Sequence, residues 1–376
     1  MPYWRLSGWY FFYFAFVGAF APYFGLYLQS LSFSAWEISV VISLMPMMRL
    51  LAPVFWAWLA ERIDRRIPIV RASAVMSLVV FSAYFFTQSF VGVFFCQAIL
   101  TFFWSASLPL VEALTLGHLN PHAEKYSGIR VWGSIGFIVA VLGVGRLLDA
   151  YPVSALLDVC LLIMLGILGL AMSLIEAPRL PAEAGTAAVA GVRAQGQLAL
   201  LLVATFLMSA AHGPLYVFFS IHLVDIGYDK TLVGGLWSLG VVAEIVVFLF
   251  MPALLRRYRL RGLLLFSFAC AVLRFLLIGW LADSLVLLLL AQVLHGATFG
   301  VCHAAAVAAL HRWYPDRQQS RVQVLYGSVS FGAGGMVGGL ASGQVWQLSG
   351  AGMAYTLGSA FALVGLALVW WRMRKE

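Results

Sequence analysis

The sequence predicts an all-α polytopic membrane protein, with twelve transmembrane helices in two six-helix pseudo-repeat bundles. Three observations predict it. Of 376 residues, 63% are hydrophobic and only 10% are charged, whereas soluble domains carry about 25% charged residues. Apolar runs of about 20 residues, the length that crosses a bilayer core, recur along the whole chain and leave no room for a separate soluble domain. Lys and Arg then fall almost wholly on one side of the path those runs trace.

Apolar runs set against polar interruptions place helices over residues 7–29, 35–60, 67–87, 91–117, 127–148, 153–175, 197–224, 231–255, 263–281, 285–311, 321–346 and 350–371. The first run contains Ala19-Phe20-Ala21, a signal-peptidase-like triplet. It stays apolar through Leu28, too long for an ordinary signal h-region, and reads as a retained helix.

With the N-terminus inside, 19 of the 23 basic residues fall on the cytoplasmic side. Arg146 and Lys230 fall outside, and Arg49 and Arg274 lie within spans. Positive residues collect on the cytoplasmic side of membrane proteins, so both termini are expected in the cytoplasm. The formal charge of +8 is thereby explained by topology, and no nucleic-acid partner is called for. The longest polar interruption holds Pro178 and Pro181 and an Ala/Gly-rich stretch. It reads as a flexible cytoplasmic linker, residues 177–196, between a six-helix bundle over 1–176 and another over 197–376.

The halves repeat. Shifted by 194 residues, Trp132-Gly133-Ser134-Ile135-Gly136-Phe137 meets Tyr326-Gly327-Ser328-Val329-Ser330-Phe331, and Pro121 meets Pro315. Shifted by 195, Ser43-Leu44 meets Ser238-Leu239, and Arg49 meets Glu244. A parallel duplication of six helices is an arrangement of transporters whose halves rock about a midplane site.

A charge at the bilayer centre costs about 2.5–3.5 kcal/mol on insertion scales, so Arg49, Glu112, Glu244 and Arg274 are expected to face the bundle interior or a water-filled cavity. Arg130, a few residues into the fifth span, reaches a depth similar to Glu112 across a short cytoplasmic turn, which makes the two candidate partners. A static salt bridge is the competing reading of both this pair and the repeat-related Arg49 and Glu244. His212, His295 and His303 lie within spans, where an imidazole can carry protons. Trp104, Trp132 and Trp237 fall deeper than the interfacial tryptophans and could stack on a flat substrate, although packing is the commoner fate of a buried Trp. The four Cys are scattered singly, and His118 and His122 have no ligand-spaced partner, so neither a metal nor another cofactor is expected. No HExxH, GxSxG or P-loop occurs, which argues against an enzyme and against ATP as a driving force within this chain.

The turn after the second helix resembles the signature of the major facilitator superfamily in degenerate form. Ala57, Glu61 and Asp64 replace its two Gly and usual Asp, while Arg62, Arg65 and Arg66 keep the positive charge. More specific are Pro109-Leu110-Val111-Glu112-Ala113-Leu114, Ile129-Arg130-Val131-Trp132-Gly133-Ser134, the stretch from Ser238 to Glu244, and that from His295 to His303. Together they look like the 3-phenylpropionate permease branch, related to oligosaccharide and nucleoside proton symporters. The resemblance implies inward, proton-coupled transport of a small organic solute such as an aromatic carboxylate. It also implies a monomer in a bacterial inner membrane, with a cavity lined by helices 1, 4, 7 and 10 and completed by 5, 8 and 11.

Carried over by position, it makes Glu112 and Arg130 substrate residues, joined in our reading by Trp104, Trp132, His212 and Trp237. Glu244, Arg274 and His303, with Arg49, would form the proton-coupling group. The sugar-symporter pattern has an acidic residue one turn beyond the His, where Ala306 stands here. A sugar or nucleoside symporter, or an uncoupled facilitator or channel, is the alternative. Reporter fusions test the topology: both termini and the 177–196 linker should report a cytoplasmic location, and a periplasmic signal from any of them would overturn the twelve-span path.

Overall fold

Lipid offers no partner to a backbone N–H or C=O, so a lipid-exposed apolar run must satisfy both internally, and a helix does so. A computed structural model describes residues 2–63, 65–120, 122–178, 192–314 and 316–373. Among them there is no strand. The helices of the first half are α1 (Tyr3–Ser30), α2 (Ala35–Ile63), α3 (Ile67–Ser82), α4 (Phe90–Leu119), α5 (Tyr126–Ala150) and α6 (Ala155–Ser173). Those of the second are α7 (Val192–Ala211), α8 (Gly213–Asp225), α9 (Lys230–Arg257), α10 (Leu260–Leu281), α11 (Leu285–His295), α12 (Cys302–Trp313), α13 (Asp316–Tyr326) and α14 (Gly335–Arg372). Asp64, Pro121, Pro315 and residues 179–191 of the expected linker lie outside the described residues.

Eleven stretches among the described residues are long and apolar enough to cross a bilayer. The last, Arg321–Arg372, contains two expected spans: Gly350, at φ +80°, breaks it where the sequence ends one span at 346 and begins the next at 350. That backbone conformation is open to glycine at little cost, so the turn is one residue long. The twelve-span path is thereby accounted for. Exposed apolar side chains such as Val54 (74%) and Leu249 (75%) match a surface solvated by lipid.

The second half is less regular than its hydropathy predicts. The seventh span breaks at His212 between α7 and α8. The tenth passes through a π-helical segment, Gly296–Val301, and the eleventh through another, Gly327–Gly334. Such wider turns are rare and are frequent at functional sites.

The chain forms two compact units. One comprises Met1–Ala182 with Gly227–Ser238, and the other Glu183–Ile226 with Leu239–Glu376. The opening turns of α9 therefore pack with the first unit. Asp149, near the end of α5, accepts from the backbone N–H groups of Lys230 (2.8 Å) and Thr231 (2.9 Å) and so caps α9, where the helix leaves its first N–H groups unsatisfied.

Within each unit the same contacts recur, and they extend the sequence repeat. In the first, α1 and α5 touch backbone to backbone: Gly136 faces the Phe11 carbonyl and Gly18 faces that of Phe137. In the second, Gly334 faces the carbonyl of Phe206 and Gly213 lies against Gly338. Phe11 and Phe206, like Gly18 and Gly213, are 195 residues apart. Small residues permit this close approach, which gives packing energy where no hydrophobic effect separates helix from lipid. The third and sixth spans of each unit are tied alike. Arg71 donates to the carbonyls of Met172 (2.8 Å) and Leu174 (3.2 Å) at the end of α6, and Arg261 donates to that of Trp370 (2.6 Å) near the end of α14. Those carbonyls have no partner within their own helices and carry the negative end of the helix dipole.

Gly136→Leu should prise α5 from α1, since overpacking costs about 1–3 kcal/mol. We expect a lower midpoint in a thermal scan of monodisperse detergent-solubilised protein. Gly143→Leu on the same helix, which has nothing within 4 Å of its Cβ position, should leave the midpoint unchanged.

Candidate functional site

Each unit carries its own cluster of ionisable residues. In the first, α5 presents Tyr126 and Arg130 four residues apart, hence on one face. The Arg130 guanidinium lies over the Phe14 ring of α1 at 3.9 Å and within 5.7 Å of the Tyr10 ring centre. Gly133, one turn on, makes room for this: a Cβ there would come within 2.7 Å of both Arg130 Nη1 and the Phe14 ring. On α4, Glu112 accepts a hydrogen bond from the Tyr126 hydroxyl at 3.1 Å, and the Tyr10 and Thr115 hydroxyls pair at 3.3 Å. Among the described residues no salt bridge joins Glu112 to Arg130, although the charge of Arg130 acts on Glu112. The expected pair is thus brought close but not bonded.

An aromatic stack continues from this group. Tyr13 stacks on Trp9 at 4.8 Å and on Trp104 at 4.4 Å, and Trp104 leans on Phe16. Trp104 is therefore packed among α1 rings. The Tyr13 hydroxyl lies within electrostatic reach of Arg49, Glu112 and Arg130, so exposed Arg49 belongs to this neighbourhood. Trp132 does not: its indole donates to the Tyr3 hydroxyl at 3.2 Å and its ring meets Trp4, at the start of α1. The sequence placed it deeper because it counted depth along α5 and not the direction in which the side chain leaves the helix.

The second unit centres on Arg274, whose side chain is fully buried. It donates through Nε to the Ala291 carbonyl (2.8 Å), through Nη1 to Thr298 Oγ1 (3.2 Å) and through Nη2 to Gln292 Oε1 (3.3 Å). Nη1 also faces His212 Nε2 at 3.4 Å. A guanidinium has no acceptor, so this nitrogen of His212 must carry the lone pair, and its Nδ1–H donates to the Met208 carbonyl at 2.8 Å. A proton added at Nε2 would confront Arg274. His212 is thus a neutral acceptor. Among the described residues Arg274 has no carboxylate partner.

Glu244 on α9 meets the imidazole of His295, Oε2 to Nε2, at 3.9 Å. The sequence grouped it with His303 instead. His303 lies two turns on, separated by Phe299, with which both imidazoles stack (5.6 and 6.0 Å), and its Nδ1 pairs with the Tyr326 hydroxyl at 3.0 Å. Gly296 and Gly300 in the π-helical segment let α9 close on it, with Gly300 facing Val247 and Glu244. Trp237, half-buried, belongs to the opening turns of α9 in the first unit.

Next to His212 and Thr298, two partners of Arg274, opens a small cavity lined among others by Phe299, His303, Tyr326 and Phe331. Both π-helical segments contribute to its wall. Among the described residues no Lys, Arg, Asp or Glu lines it. Reading the sequence missed Phe14 and Tyr126 in the first cluster and Gln292, Thr298 and Tyr326 in the second. Tyr126, four residues before Arg130, and the glycines around Thr298 were the available signals.

The MFS_1 like family matches residues 3–357. A probable 3-phenylpropionic acid transporter of Escherichia coli (strain K12) is 27% identical over 372 residues, covering 96% of this chain and 95% of the relative. A maltose permease of Geobacillus stearothermophilus is 28% identical, covering 97% and 92%. Among solved structures, the nucleoside transporter NupG superposes with a TM-score of 0.85 at 17% identity, covering 100% of both chains. The all-α, two-bundle transporter fold is thereby shown.

Gln292→Leu removes one acceptor from a buried guanidinium and should cost about 1–3 kcal/mol, read as a lower thermal midpoint of the purified protein. Glu37→Gln, at the half-exposed start of α2, keeps an oxygen that can accept from the Ser34 N–H and hydroxyl and should cost less.

Proposed function

The chain belongs to the MFS_1 like family, is a multi-pass membrane transporter and not an enzyme, and from that premise we propose that it is a proton symporter for a small aromatic carboxylate. It would take up a solute such as 3-phenylpropionate by alternating access, acting as a monomer in a bacterial inner membrane with both termini cytoplasmic. The observation that carries this reading is Arg130. Its guanidinium has no hydrogen-bond or ion-pair partner among the described residues and lies against aromatic rings, which suits an anion attached to a ring. Arg holds a carboxylate through two parallel N–H donors, a geometry that Lys lacks.

On the proton side, Glu244 is the group we assign as carrier, with His295 beside it and Arg274 as the fixed charge. His212 is set aside because its unprotonated nitrogen accepts from Arg274. A carboxylate in this position can bind a proton from one side of the membrane and release it to the other as its surroundings change. Each proton entering down the membrane potential supplies about 2.3 kcal/mol per 100 mV, enough to drive a substantial substrate gradient. The uncharged, hydroxyl-bearing wall of the second-unit cavity favours the alternative, a sugar or nucleoside symporter.

Two variants separate these readings. Arg130→Ala should abolish uptake of radiolabelled 3-phenylpropionate at near-normal protein levels, and Arg130→Lys should weaken it severely. Normal uptake by Arg130→Ala would remove the carboxylate reading. Glu244→Gln, nearly isosteric but unable to ionise, should lose gradient-driven accumulation and retain part of the substrate exchange. Undiminished accumulation with a normal pH dependence would transfer the carrier role to Glu112.

A further inference from the structure

Arg130 poses a physical problem. A half-buried guanidinium attracts the nearest carboxylate, and Glu112 is close enough for that charge to act on it. Were the two to pair, the guanidinium would be spent and a substrate anion would have to displace an internal one. Yet Glu112 Oε1 is held by the Tyr126 hydroxyl at 3.1 Å, and Arg130 lies over Phe14 at 3.9 Å. Tyr126 and Arg130 are i and i+4 on α5, so the carboxylate is captured one helical turn from the cation.

We infer that Tyr126 is a positioning residue: by holding Glu112 it keeps Arg130 uncommitted and available to an incoming carboxylate. The inference rests on the reading of Arg130 as the anion anchor. Tyr126 donates, Glu112 accepts, and neither needs to touch substrate. Gly133 and Phe14 complete the arrangement by giving the guanidinium a ring to lie on in place of an acid. The neighbouring hydroxyls are engaged elsewhere: that of Tyr10 pairs with Thr115, whose Oγ1 also donates to the Val111 carbonyl at 2.7 Å.

The test uses the chemistry of the guanidinium itself and needs no substrate. Phenylglyoxal modifies arginines whose N–H groups are free, and mass spectrometry of the purified full chain reads the rate at Arg130. Arg274, fully buried and hydrogen-bonded, should stay slow in every folded sample and reports that the fold is intact. We expect Arg130 to react readily in the unmodified chain and several-fold more slowly in Tyr126→Phe, where Glu112 is released to pair with it. Tyr126→Phe with Glu112→Gln should restore the original rate, because the released side chain no longer carries charge. Tyr126→Leu serves if the Phe variant does not elute as a monodisperse species. An unchanged Arg130 rate in the folded Tyr126 variants, or a slowed rate that Glu112→Gln fails to restore, overturns the inference. Should the carboxylate-uptake reading fail instead, the failure appears in transport by Arg130→Ala while the order of these rates stands.

Discussion

A guanidinium taken out of water must find its hydrogen bonds inside the protein or remain exposed to whatever enters, and the membrane removes the third option of facing solvent at low cost. Two arginines of this chain meet that constraint in opposite ways. Arg274 is fully buried and is satisfied by a carbonyl, a hydroxyl, an amide oxygen and the lone pair of an imidazole. Arg130 is half-buried, rests on a ring, and bonds to nothing polar among the described residues. The first solution makes a fixed charge around which the second unit is built. The second makes a charge that waits.

That division explains other features of the two units. Arg274 requires its partners to converge on a buried point, and Thr298 reaches it from a π-helical segment whose glycines also admit α9. The same segment carries Phe299 into the cavity wall. Arg130 requires the reverse, a local shortage of acceptors. Tyr126 on Glu112 and Phe14 beneath the guanidinium provide it. Identical scaffold contacts, Gly against carbonyl and Arg against helix end, thus support different chemistry in the two halves.

Hydropathy and charge made the spans legible, because both are properties of whole segments that lipid enforces. The offset of 195 found in Ser43-Leu44 reappears physically in Phe11 and Phe206. Details set by a single turn were not legible. The break at His212, the two π-helical segments and the one-residue turn at Gly350 change the apolar content of their spans very little. In the clusters, charged residues announced themselves by their cost, whereas their neutral partners did not. Tyr126, Gln292 and Thr298 look like any polar residue of a membrane helix until the side chains are placed. His295 and His303 shared one face of one span, and only the distance of 3.9 Å distinguishes the imidazole that meets Glu244. Trp132 shows the limit of depth as a guide, since a helix two residues on points elsewhere.

The central claim is that a proton gradient drives a carboxylate across the membrane through this chain. Purified protein in proteoliposomes, loaded so that an inward proton gradient can be imposed, tests it with radiolabelled 3-phenylpropionate. The account predicts accumulation above the outside concentration that collapses when a protonophore is added. Equilibration to the outside concentration and no further, whether or not the gradient is present, would contradict it.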